Sequence, residues 1–477
     1  MNNLSRRSFL KNSVSAGITI AALPYSNVLG ANDTIRVAVV GMNGQGAYHI
    51  RILNEIAGVK VVAICDADTD IIAREKQKFD ERGENVATYT DVRKLLEDKN
   101  IDAITTATPN HWHALITIWA CQAGKDVYVE KPTCHNIWEG RRMVEAARKY
   151  NRIVQFGAQR RSDPGVKEIF EYLKNGNLGK ITCVRGFCYK RRKSIGKVNG
   201  TGIIPPGVDY NLWCGPSPME PLRREHLHYD WHWVWPTGNG DIGNQGIHQM
   251  DVCRWLLNEQ GLPNRVMSFG GRLGYIDDGE TANTQVAVLE YDSAPIIFEV
   301  RGLPRMKGDE TMDNFRGIRI GEVIECEKGY VAGGWAYDND GNKIKQFIRN
   351  DGAGHFDNFF KGVRSRKVSD LNGDIAVGHI STALCHLSNI SYRIGKITSA
   401  KEIADALGNN DSYQSTLFRF QEHLLVNNVD LMQTPRYLGP WLTIDKKNEC
   451  FTGDLSQEAN MLLTRNYREP FVVPAKV

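Results

Sequence analysis

The residues with the clearest chemistry are a glycine-rich loop and one acidic side chain. Gly41, Gly44 and Gly46 belong to the run Gly-Met-Asn-Gly-Gln-Gly, in which Asn43 replaces the middle glycine of the usual G-x-G-x-x-G motif. Glycines in such a turn let the backbone approach a pyrophosphate, and Asn tolerates positive φ better than most residues. Asp66 lies 20 residues after Gly46, where a carboxylate can accept both hydroxyls of a nucleotide ribose. Because Asp66 would repel a 2′-phosphate, the sequence predicts NAD rather than NADP as the cofactor.

A second reactive position is Lys131, which follows the predicted strand 126–130 and precedes Pro132. In open α/β sheets ligands gather at the carboxyl ends of strands, and a residue before proline is biased towards extended backbone. A lysine ammonium can stabilise the alkoxide that develops when an alcohol is oxidised. A histidine with a pKa near neutrality can accept the alcohol's proton. A lysine and a histidine aimed at one carbon would therefore suit hydride transfer to a nicotinamide.

Short apolar runs alternate with helical patterns through the first third of the chain. The predicted strands span 34–40, 59–65, 101–106, 126–130 and 152–156, and the helices between them include 111–123 and 136–150. This alternation is typical of a doubly wound α/β domain with a parallel sheet. We predict such a Rossmann domain over residues 33–156.

Several motifs occur in the order found in one enzyme family. The glycine loop, Asp66, the run Thr108-Pro-Asn-His-Trp-His113, the run Glu130-Lys-Pro132 and a segment around His248 together resemble the Gfo/Idh/MocA oxidoreductases over about residues 33–400. The resemblance implies that Lys131 contacts the substrate hydroxyl beside the nicotinamide and that the 108–113 loop borders the cofactor. The cofactor contacts implied in these two runs are Thr108, Pro109, Asn110, His113 and Glu130.

The family's catalytic helix matches the run Ile242-Gly-Asn-Gln-Gly-Ile-His248-Gln-Met-Asp251. The resemblance implies that His248 is the proton acceptor, and the alternative is a histidine satisfied within the core. Asn244 stands where many relatives carry an aspartate, so it can bind a hydroxyl but cannot act as a base. Asp251 is a further candidate on the substrate side, or a residue that orients the helix or His248.

Four other side chains are weaker candidates for the substrate site. Trp231 and Trp233 could stack on a sugar face, although such aromatic residues pack in cores at least as often. Tyr189 and Arg191 lie at and beside the basic run 190–193, which could meet an acidic sugar or form a solvated face. Three nearby histidines raise the alternative of a metal site, but no acid-rich frame surrounds them and we predict no metal. These histidines are His226, His228 and His232.

Beyond residue 157 a helix at 163–175 and several alternating runs predict an α+β domain over 157–395, to which the resemblance assigns a large, mostly antiparallel open sheet. One face of such a sheet packs on helices and the other is free for oligomer contact. We therefore expect a homo-oligomer, either a dimer or a tetramer. Residues 396–477 form a C-terminal extension, and its proline-containing end at 468–474 predicts an extended tail lying on a neighbouring subunit.

The N-terminus has the pattern of a twin-arginine export signal over residues 1–30. Arg6 and Arg7 precede a modest apolar stretch from 14 to 23, which is too short to span a bilayer. The alternative is an ordinary basic N-terminus. The first cysteine is Cys65, so no lipid-bearing cysteine follows the signal. We expect a bacterial periplasmic or otherwise exported protein with no membrane anchor.

Composition excludes several other classes of protein. Of the 477 residues, 42% are hydrophobic and 24% charged, which is typical of globular proteins rather than disordered or multi-span membrane proteins. The formal net charge is +4, and much of this excess lies in the N-terminal segment, so nothing favours a nucleic-acid partner. Ten cysteines without a C-x-x-C pair are too few for a disulfide framework.

The sequence thus favours an exported NAD-dependent oxidoreductase that acts on a sugar, sugar derivative or glycoside. One alternative is a glycosidase that uses bound NAD for transient oxidation, elimination and reduction. A second alternative is a non-catalytic protein that senses sugars with the same fold.

Overall fold

The structure, a computed structural model, describes residues 34–430 and 434–477. The predicted export signal lies outside the described residues. Within them, no helix combines the length and apolar character needed to cross a membrane.

The first sheet is parallel throughout and has the strand order β3-β2-β1-β4-β5-β6. Its strands are short and rich in Val, Ile and Ala, and β1, β4, β5 and β6 are almost wholly buried because helices cover both faces of the sheet. The strands are β1 (Ile35–Val40), β2 (Val59–Cys65), β3 (Ala87–Tyr89), β4 (Ala103–Thr106), β5 (Asp126–Val129) and β6 (Val154–Phe156). The helices are α1 (Gln45–Leu53), α2 (Thr69–Glu81), α3 (Val92–Glu97), α4 (Asn110–Gln122) and α5 (Ile137–Lys149). The predicted doubly wound fold is confirmed.

The second sheet is large and mostly antiparallel, as predicted, with one parallel pair formed by β7 and β10. Its main path runs β14-β13-β12-β11-β7-β10-β9-β8-β16-β15, and β17 and β18 extend it beside β8. The strands are β7 (Ile181–Tyr189), β8 (Arg265–Gly271), β9 (Thr284–Glu290), β10 (Ile296–Arg301), β11 (Ile320–Cys326), β12 (Gly329–Ala332), β13 (Trp335–Tyr337), β14 (Lys343–Gln346), β15 (Lys396–Ile397), β16 (Tyr437–Leu438), β17 (Leu442–Asp445) and β18 (Cys450–Thr452).

The helices after the first sheet are α6 (Pro164–Lys174), α7 (Tyr210–Cys214), α8 (Gly240–Asn244), α9 (Gly246–Leu256), α10 (His355–Ser365), α11 (Ile375–Arg393), α12 (Ala400–Leu407), α13 (Asp411–Val426) and α14 (Ser456–Met461). Helices α6, α9 and α11 pack on one face of the second sheet in a large apolar core that includes Met250, Phe298 and Leu384. Helix α10 packs instead against the first sheet, through Phe356, Phe359 and Phe360. The junction between α8 and α9 lies against the end of β5, which brings His248 towards Lys131.

The opposite face of the second sheet is only partly free, whereas the prediction left all of it for oligomer contact. Helices α12 and α13 of the C-terminal extension cover part of it, and Leu417, Phe420 and Leu424 pack against apolar residues of β8, β9 and β10 such as Phe269 and Val288. An apolar sheet face must be shielded from water, and here helices of the chain's own C-terminal extension shield it. The oligomeric state remains a prediction.

The C-terminal tail, residues 464–477, also differs from the prediction. It lies on the first domain of its own chain: Phe471 and Val473 are buried in the core of that domain. Arg465 forms an ion pair with the buried Glu139 of α5. The tail docks there because Phe471 and Val473, at alternate positions of an extended segment, point into the core, and because Arg465 neutralises the buried Glu139.

Candidate active site

The glycine loop between β1 and α1 has the close approaches that the motif predicts. A Cβ atom at Gly46 would lie 1.7 Å from the carbonyl oxygen of Gly41, and one at Gly41 would lie 2.8 Å from the backbone nitrogen of Thr108. Positive φ falls at Gly41 (79°) and Gly44 (111°), not at Asn43. Asn43 is exposed and accepts a hydrogen bond from Arg74 at 3.4 Å, so its tolerance of positive φ is not used.

Asp66 directly follows β2 and is half-buried beside this loop. Its carboxylate accepts hydrogen bonds from the backbone nitrogens of Met42 at 2.8 Å and Asp68 at 3.2 Å. Burial raises the pKa of Asp66, and these two backbone donors partly offset that rise. The two hydrogen bonds fix the carboxylate against the mouth of a cavity.

This cavity has a volume of about 350 Å³ and is lined from two sides. The first domain contributes the glycine loop, Asp66, the 90–92 segment and the Thr108–Pro109 turn. The opposite side consists of residues from the 207–232 segment, which we call the cover: Leu212, Trp213, His228, Tyr229, Trp231 and His232. A cleft with a glycine cradle that a Cβ would fill, a fixed acid and flat aromatic walls fits an adenine dinucleotide.

Several contacts join the cover to the first domain beside Asp66. The backbone nitrogen of Thr69 donates to the carbonyl oxygen of Gly207 at 2.9 Å, and that of Asp209 donates to Ala67 at 2.9 Å. His228 lies 2.9 Å from the carboxylate of Asp68 through Nε2. The cover therefore bridges the cavity rather than hanging beside it.

The tail holds the other end of the cover. Arg468 donates four hydrogen bonds to residues 211–217, two of them to Asn211 at 2.6 and 2.7 Å. Phe471 has no exposed surface and meets the ring of Trp112 edge-on at 5.4 Å between centroids. Trp112 lines the cavity and donates through Nε1 to the carbonyl oxygens of Leu212 and Trp213.

Lys131 is half-buried at the end of β5, and its Nζ donates to the carbonyl oxygen of Asn244 at 3.2 Å. Burial lowers the pKa of Lys131, while the negative charge of Glu130 opposes that fall. Glu130 is itself buried and is held by Gln45 at 3.1 Å and His49 at 3.2 Å. Burial alone would raise the pKa of Glu130, but the hydrogen bond and charge of His49 lower it to about 2. A fixed carboxylate therefore stands behind the ammonium group.

His248 lies in the first turn of α9 and is half-buried. Burial, followed by the positive charge of Lys131, lowers its pKa to about 3. The ring is therefore neutral at physiological pH and has a free lone pair, but it is a weaker base than the histidine with a pKa near neutrality that the sequence predicts. Asn244, the last residue of α8, is also half-buried, and its carbonyl oxygen anchors Lys131. The structure thus brings Lys131, His248 and Asn244 together.

The Thr108–His113 run is divided between two environments. Thr108 and Pro109 line the cavity, as predicted cofactor contacts should. Asn110 and His113 are buried beneath it: Asn110 donates to the side chain of Asn239 at 3.0 Å, and His113 lies between the carbonyl oxygens of Thr108 and Pro132. These two side chains position the loop and do not face the cavity, so their assignment as direct contacts is corrected.

Asp251 does not face the substrate side. It is wholly buried, and its carboxylate accepts from Arg161 at 2.7 Å and from the hydroxyl of Ser381 at 2.5 Å. The second oxygen accepts from Nε of Arg161 at 2.8 Å, and no part of the residue is exposed, so the prediction of a substrate contact is wrong. Its charge does act on His248, whose pKa it raises slightly against the effect of burial.

Tyr189, Arg191 and Trp233 are also placed elsewhere. Tyr189 lies on the sheet face away from α9 and donates to the buried Glu299 at 2.7 Å. Arg191 donates to backbone carbonyls at residues 192 and 302. Trp233 is buried beneath the guanidinium of Arg192 at 5.3 Å, whereas Trp231 reaches the cavity wall.

The basic run instead directs its alternate members, Lys190 and Arg192, towards the site. Nζ of Lys190 donates to the side-chain oxygen of Gln245 at 2.9 Å, one residue from the carbonyl that holds Lys131. Arg192 forms a two-bond ion pair with the buried Asp241 of α8, at 2.8 and 3.0 Å. The period of two in an extended chain separates 189 and 191 from 190 and 192, but it does not indicate which of the two pairs faces α9.

Within residues 34–430 and 434–477, no group of three or more His, Cys, Asp or Glu side chains is arranged to hold a metal ion. Of the three histidines considered for a metal site, His228 pairs with Asp68 and His232 stacks on Trp231 with centroids 3.6 Å apart.

Two sequence profiles of one family match the chain. Residues 35–158 match the profile described as "Oxidoreductase family, NAD-binding Rossmann fold", and residues 165–271 match "Oxidoreductase family, C-terminal alpha/beta domain". The cofactor predicted from the loop and Asp66 is confirmed at this level: the first domain is an NAD-binding Rossmann domain.

Curated relatives include inositol dehydrogenases. Myo-inositol 2-dehydrogenase of Thermotoga maritima is 31% identical over 343 residues, which are 66% of this chain and 88% of that protein. Inositol 2-dehydrogenase of Salmonella paratyphi B is 31% identical over 228 residues, 47% of this chain, and the match spans only about half of that protein's own length (55%).

Solved structures share the fold. The WlbA dehydrogenase of Bordetella pertussis, crystallised with NADH and UDP-GlcNAcA, superimposes with a TM-score of 0.57 at 21% identity, over 76% of this chain and 97% of that one. The myo-inositol dehydrogenase of Lactobacillus casei, crystallised with NAD(H) and myo-inositol, gives 0.52 at 18% identity, over 76% and 95%. The motifs, both profiles and the extended match to the Thermotoga protein agree: the chain belongs to the Gfo/Idh/MocA family of oxidoreductases.

Proposed function

We propose that the protein is an NAD-dependent oxidoreductase that acts on a carbon–hydroxyl centre of a sugar, sugar derivative or cyclic polyol. The observation that carries this proposal is the convergence of Lys131 and His248 on the α8–α9 junction. Neither side chain lines the cavity fit for the dinucleotide, but Gln45 of the cavity wall donates to Glu130, the residue before Lys131. The inositol dehydrogenases among the relatives support the substrate class.

The residues that would hold the dinucleotide are those of the cavity. The glycine loop would bind its pyrophosphate, Asp66 its ribose hydroxyls, and the aromatic cover its adenosine half. When bound, NAD supplies the acceptor for the hydrogen that leaves carbon.

The chain's own residues would move the proton. His248 is neutral, because burial and Lys131 lower its pKa to about 3, so its free lone pair would take the hydroxyl proton with a weaker basicity than that of an ordinary histidine. Lys131 would donate a hydrogen bond to the same oxygen and stabilise its developing charge. Glu130, fixed by His49 and Gln45, favours the protonated form of the ammonium and so opposes the effect of burial.

We also propose that the protein is exported with NAD already bound. The twin-arginine pattern at Arg6 and Arg7 supports export, and that route carries folded proteins. NAD enclosed by the cover and the tail would stay bound during export, whereas NAD that exchanges freely would be lost. Denaturing protein purified from its exported location and assaying the supernatant tests this: NAD in near-stoichiometric amount is expected, and empty protein would contradict it.

A panel of sugars, inositols and glycosides, incubated with the NAD-loaded protein, tests the reaction class. Net formation of NADH with at least one compound supports a dehydrogenase. Cleavage of a glycoside without net NADH would instead identify the transient-oxidation glycosidase. No reaction with any compound, while the sugar still binds, would favour the sensor.

A further inference from the structure

Two lysine ammonium groups donate hydrogen bonds to consecutive residues of the proposed active site. Lys131 donates to the carbonyl oxygen of Asn244 at 3.2 Å, and Lys190 donates to the side chain of Gln245 at 2.9 Å. The backbone nitrogen of His248 in turn bonds to the carbonyl of Gln245. The two lysines are close enough that the charge of Lys190 depresses the pKa of Lys131. The proposed catalytic lysine therefore has a cationic neighbour.

The carboxylates nearby are already committed to other groups. Asp241 is 1% exposed and its two oxygens are bound by Arg192, so this pair is internally neutral. Glu130 is bound by Gln45 and His49, and its negative charge favours the protonated form of Lys131. Across the described ranges 34–430 and 434–477, no carboxylate forms an ion pair with Lys190, whose only side-chain partner is a neutral amide.

Two half-buried ammonium groups that lie close together repel each other, and an anion bound beside them relieves that repulsion. The charge of Lys190 disfavours the protonated form of Lys131 that the reaction needs, so its position calls for a compensating benefit. An uncharged sugar hydroxyl would not supply it, because a hydroxyl leaves Lys190 without a counter-ion, whereas Lys131 already has Glu130 beside it. An anionic group on the substrate would neutralise one ammonium and form a charge-assisted hydrogen bond.

We propose that Lys190 binds an acidic group of the substrate, so that the protein acts on an anionic carbohydrate rather than a neutral one. The simplest such compound is a hexuronate, whose carboxylate would lie against Lys190 while a ring hydroxyl lies between Lys131 and His248. A sulfate or phosphate ester offers the same charge chemistry. This inference rests on the proposed function, since it assigns the substrate of that same site.

The cofactor is the other possible source of an anion, and the structure argues against it. Lys190 does not line the cavity formed by the glycine loop, Asp66 and the cover. It is anchored instead at Gln245, beside the proposed catalytic pair. The ammonium group of Lys190 therefore lies where it can bind the substrate rather than the cofactor.

The experiment compares Lys190→Gln with Lys193→Gln, a matched change at an exposed lysine three residues further along. Binding of glucose, glucuronate, glucose 6-sulfate and glucose 6-phosphate to the NADH-loaded protein is measured by titration calorimetry, with parallel series for galactose and inositol. Loss of a hydrogen bond to a charged group predicts that Lys190→Gln weakens the preferred anionic ligand by roughly 10–100-fold. Neutral sugars should change less than about threefold, and Lys193→Gln should change neither class.

Comparison of the neutral and anionic ligands in the two variants distinguishes the possible outcomes. Preference for the carboxylate, sulfate or phosphate identifies which anion Lys190 meets. Equal binding of neutral and anionic sugars, or weaker NADH binding in Lys190→Gln, overturns the inference. If neutral sugars bind and are oxidised normally while anions are ignored, the proposed function stands and this inference fails. If no carbohydrate binds at all, the proposed function fails with it.

Discussion

Replacement of Arg468 by alanine should release the cofactor faster, although Arg468 does not touch the cavity. Its guanidinium donates to Gly215 at 3.1 Å, to Ser217 at 3.3 Å and twice to Asn211, and Leu212 and Trp213 of the same segment form the cavity wall. Each such hydrogen bond contributes about 0.5–1.5 kcal/mol net. Because Arg468 is only half-buried, we take the lower values, a total of about 2–3 kcal/mol for holding the cover in place.

That energy sets the size of the expected effect. At about 1.4 kcal/mol for each factor of ten, 2–3 kcal/mol shifts the balance between covered and uncovered cavity by roughly 30–150-fold. If the cover must open before NAD can leave, the dissociation rate should rise by up to that factor. Association should change much less, because the residues that contact the dinucleotide are retained.

The dissociation rate can be measured by loading the protein with NADH, adding excess NAD and following the loss of nicotinamide fluorescence. Lys476→Ala is the matched control, since Lys476 is an exposed cation of the same tail. An unchanged rate in Arg468→Ala, with the protein folded, would refute the reasoning that the tail holds the cover. An equal acceleration in Lys476→Ala would show that the effect is not specific to the Arg468 contacts.

Further predictions concern the reacting groups. Lys131→Met and His248→Ala should each lower kcat by roughly 10²–10⁴-fold while NADH still binds, which separate turnover and fluorescence titrations will show. Asp66→Ala should weaken NAD and reduce discrimination against NADP in competitive binding, and a wild-type preference for NADP would contradict the role of Asp66. The pH profile of kcat/KM should show no inflection near pH 6.5, because the pKa of His248 is lowered to about 3. Its alkaline limb reports loss of the Lys131 proton, so it should lie below pH 10.5 and move to lower pH in Glu130→Gln, which removes a charge that raises the pKa of Lys131.

Much of the first domain could be predicted from sequence because its signals are local. Buried parallel strands are short β-branched runs, and each functional residue follows such a run directly. The strand Ala87–Tyr89 was missed: it has three residues, lies at the sheet edge and is largely exposed, so it carries no apolar run. Asn43 shows a finer limit, since the sequence indicated a tight turn but not which of its residues takes positive φ.

The substrate side depended on facts that sequence patterns do not carry. Lys131 and His248 could be paired because motif order placed both at one site. Lys190 and Arg191 looked equivalent, and only the direction of the extended chain after β7 decides which of them faces α9. The sequence also does not show that Asp241 and Arg192 form an ion pair and so neutralise each other.

The C-terminal extension was the least predictable part, because its contacts join residues far apart in the chain. Nothing in the sequence around Phe471 indicates that it would pack beside Trp112, 359 positions earlier. The same holds for Leu417 and Phe420, which cover the sheet face that we expected a second subunit to use.

The most direct test of the account is a single-turnover experiment on protein loaded with NAD. A carbohydrate that binds is mixed with wild type, Lys131→Met and His248→Ala, and the appearance of reduced nicotinamide is followed by fluorescence. We expect one equivalent of reduced cofactor in wild type, with a rate at least roughly 10²-fold slower in both variants. Reduction at the wild-type rate in both variants, or no reduction in wild type with any carbohydrate that binds, would contradict the central claim.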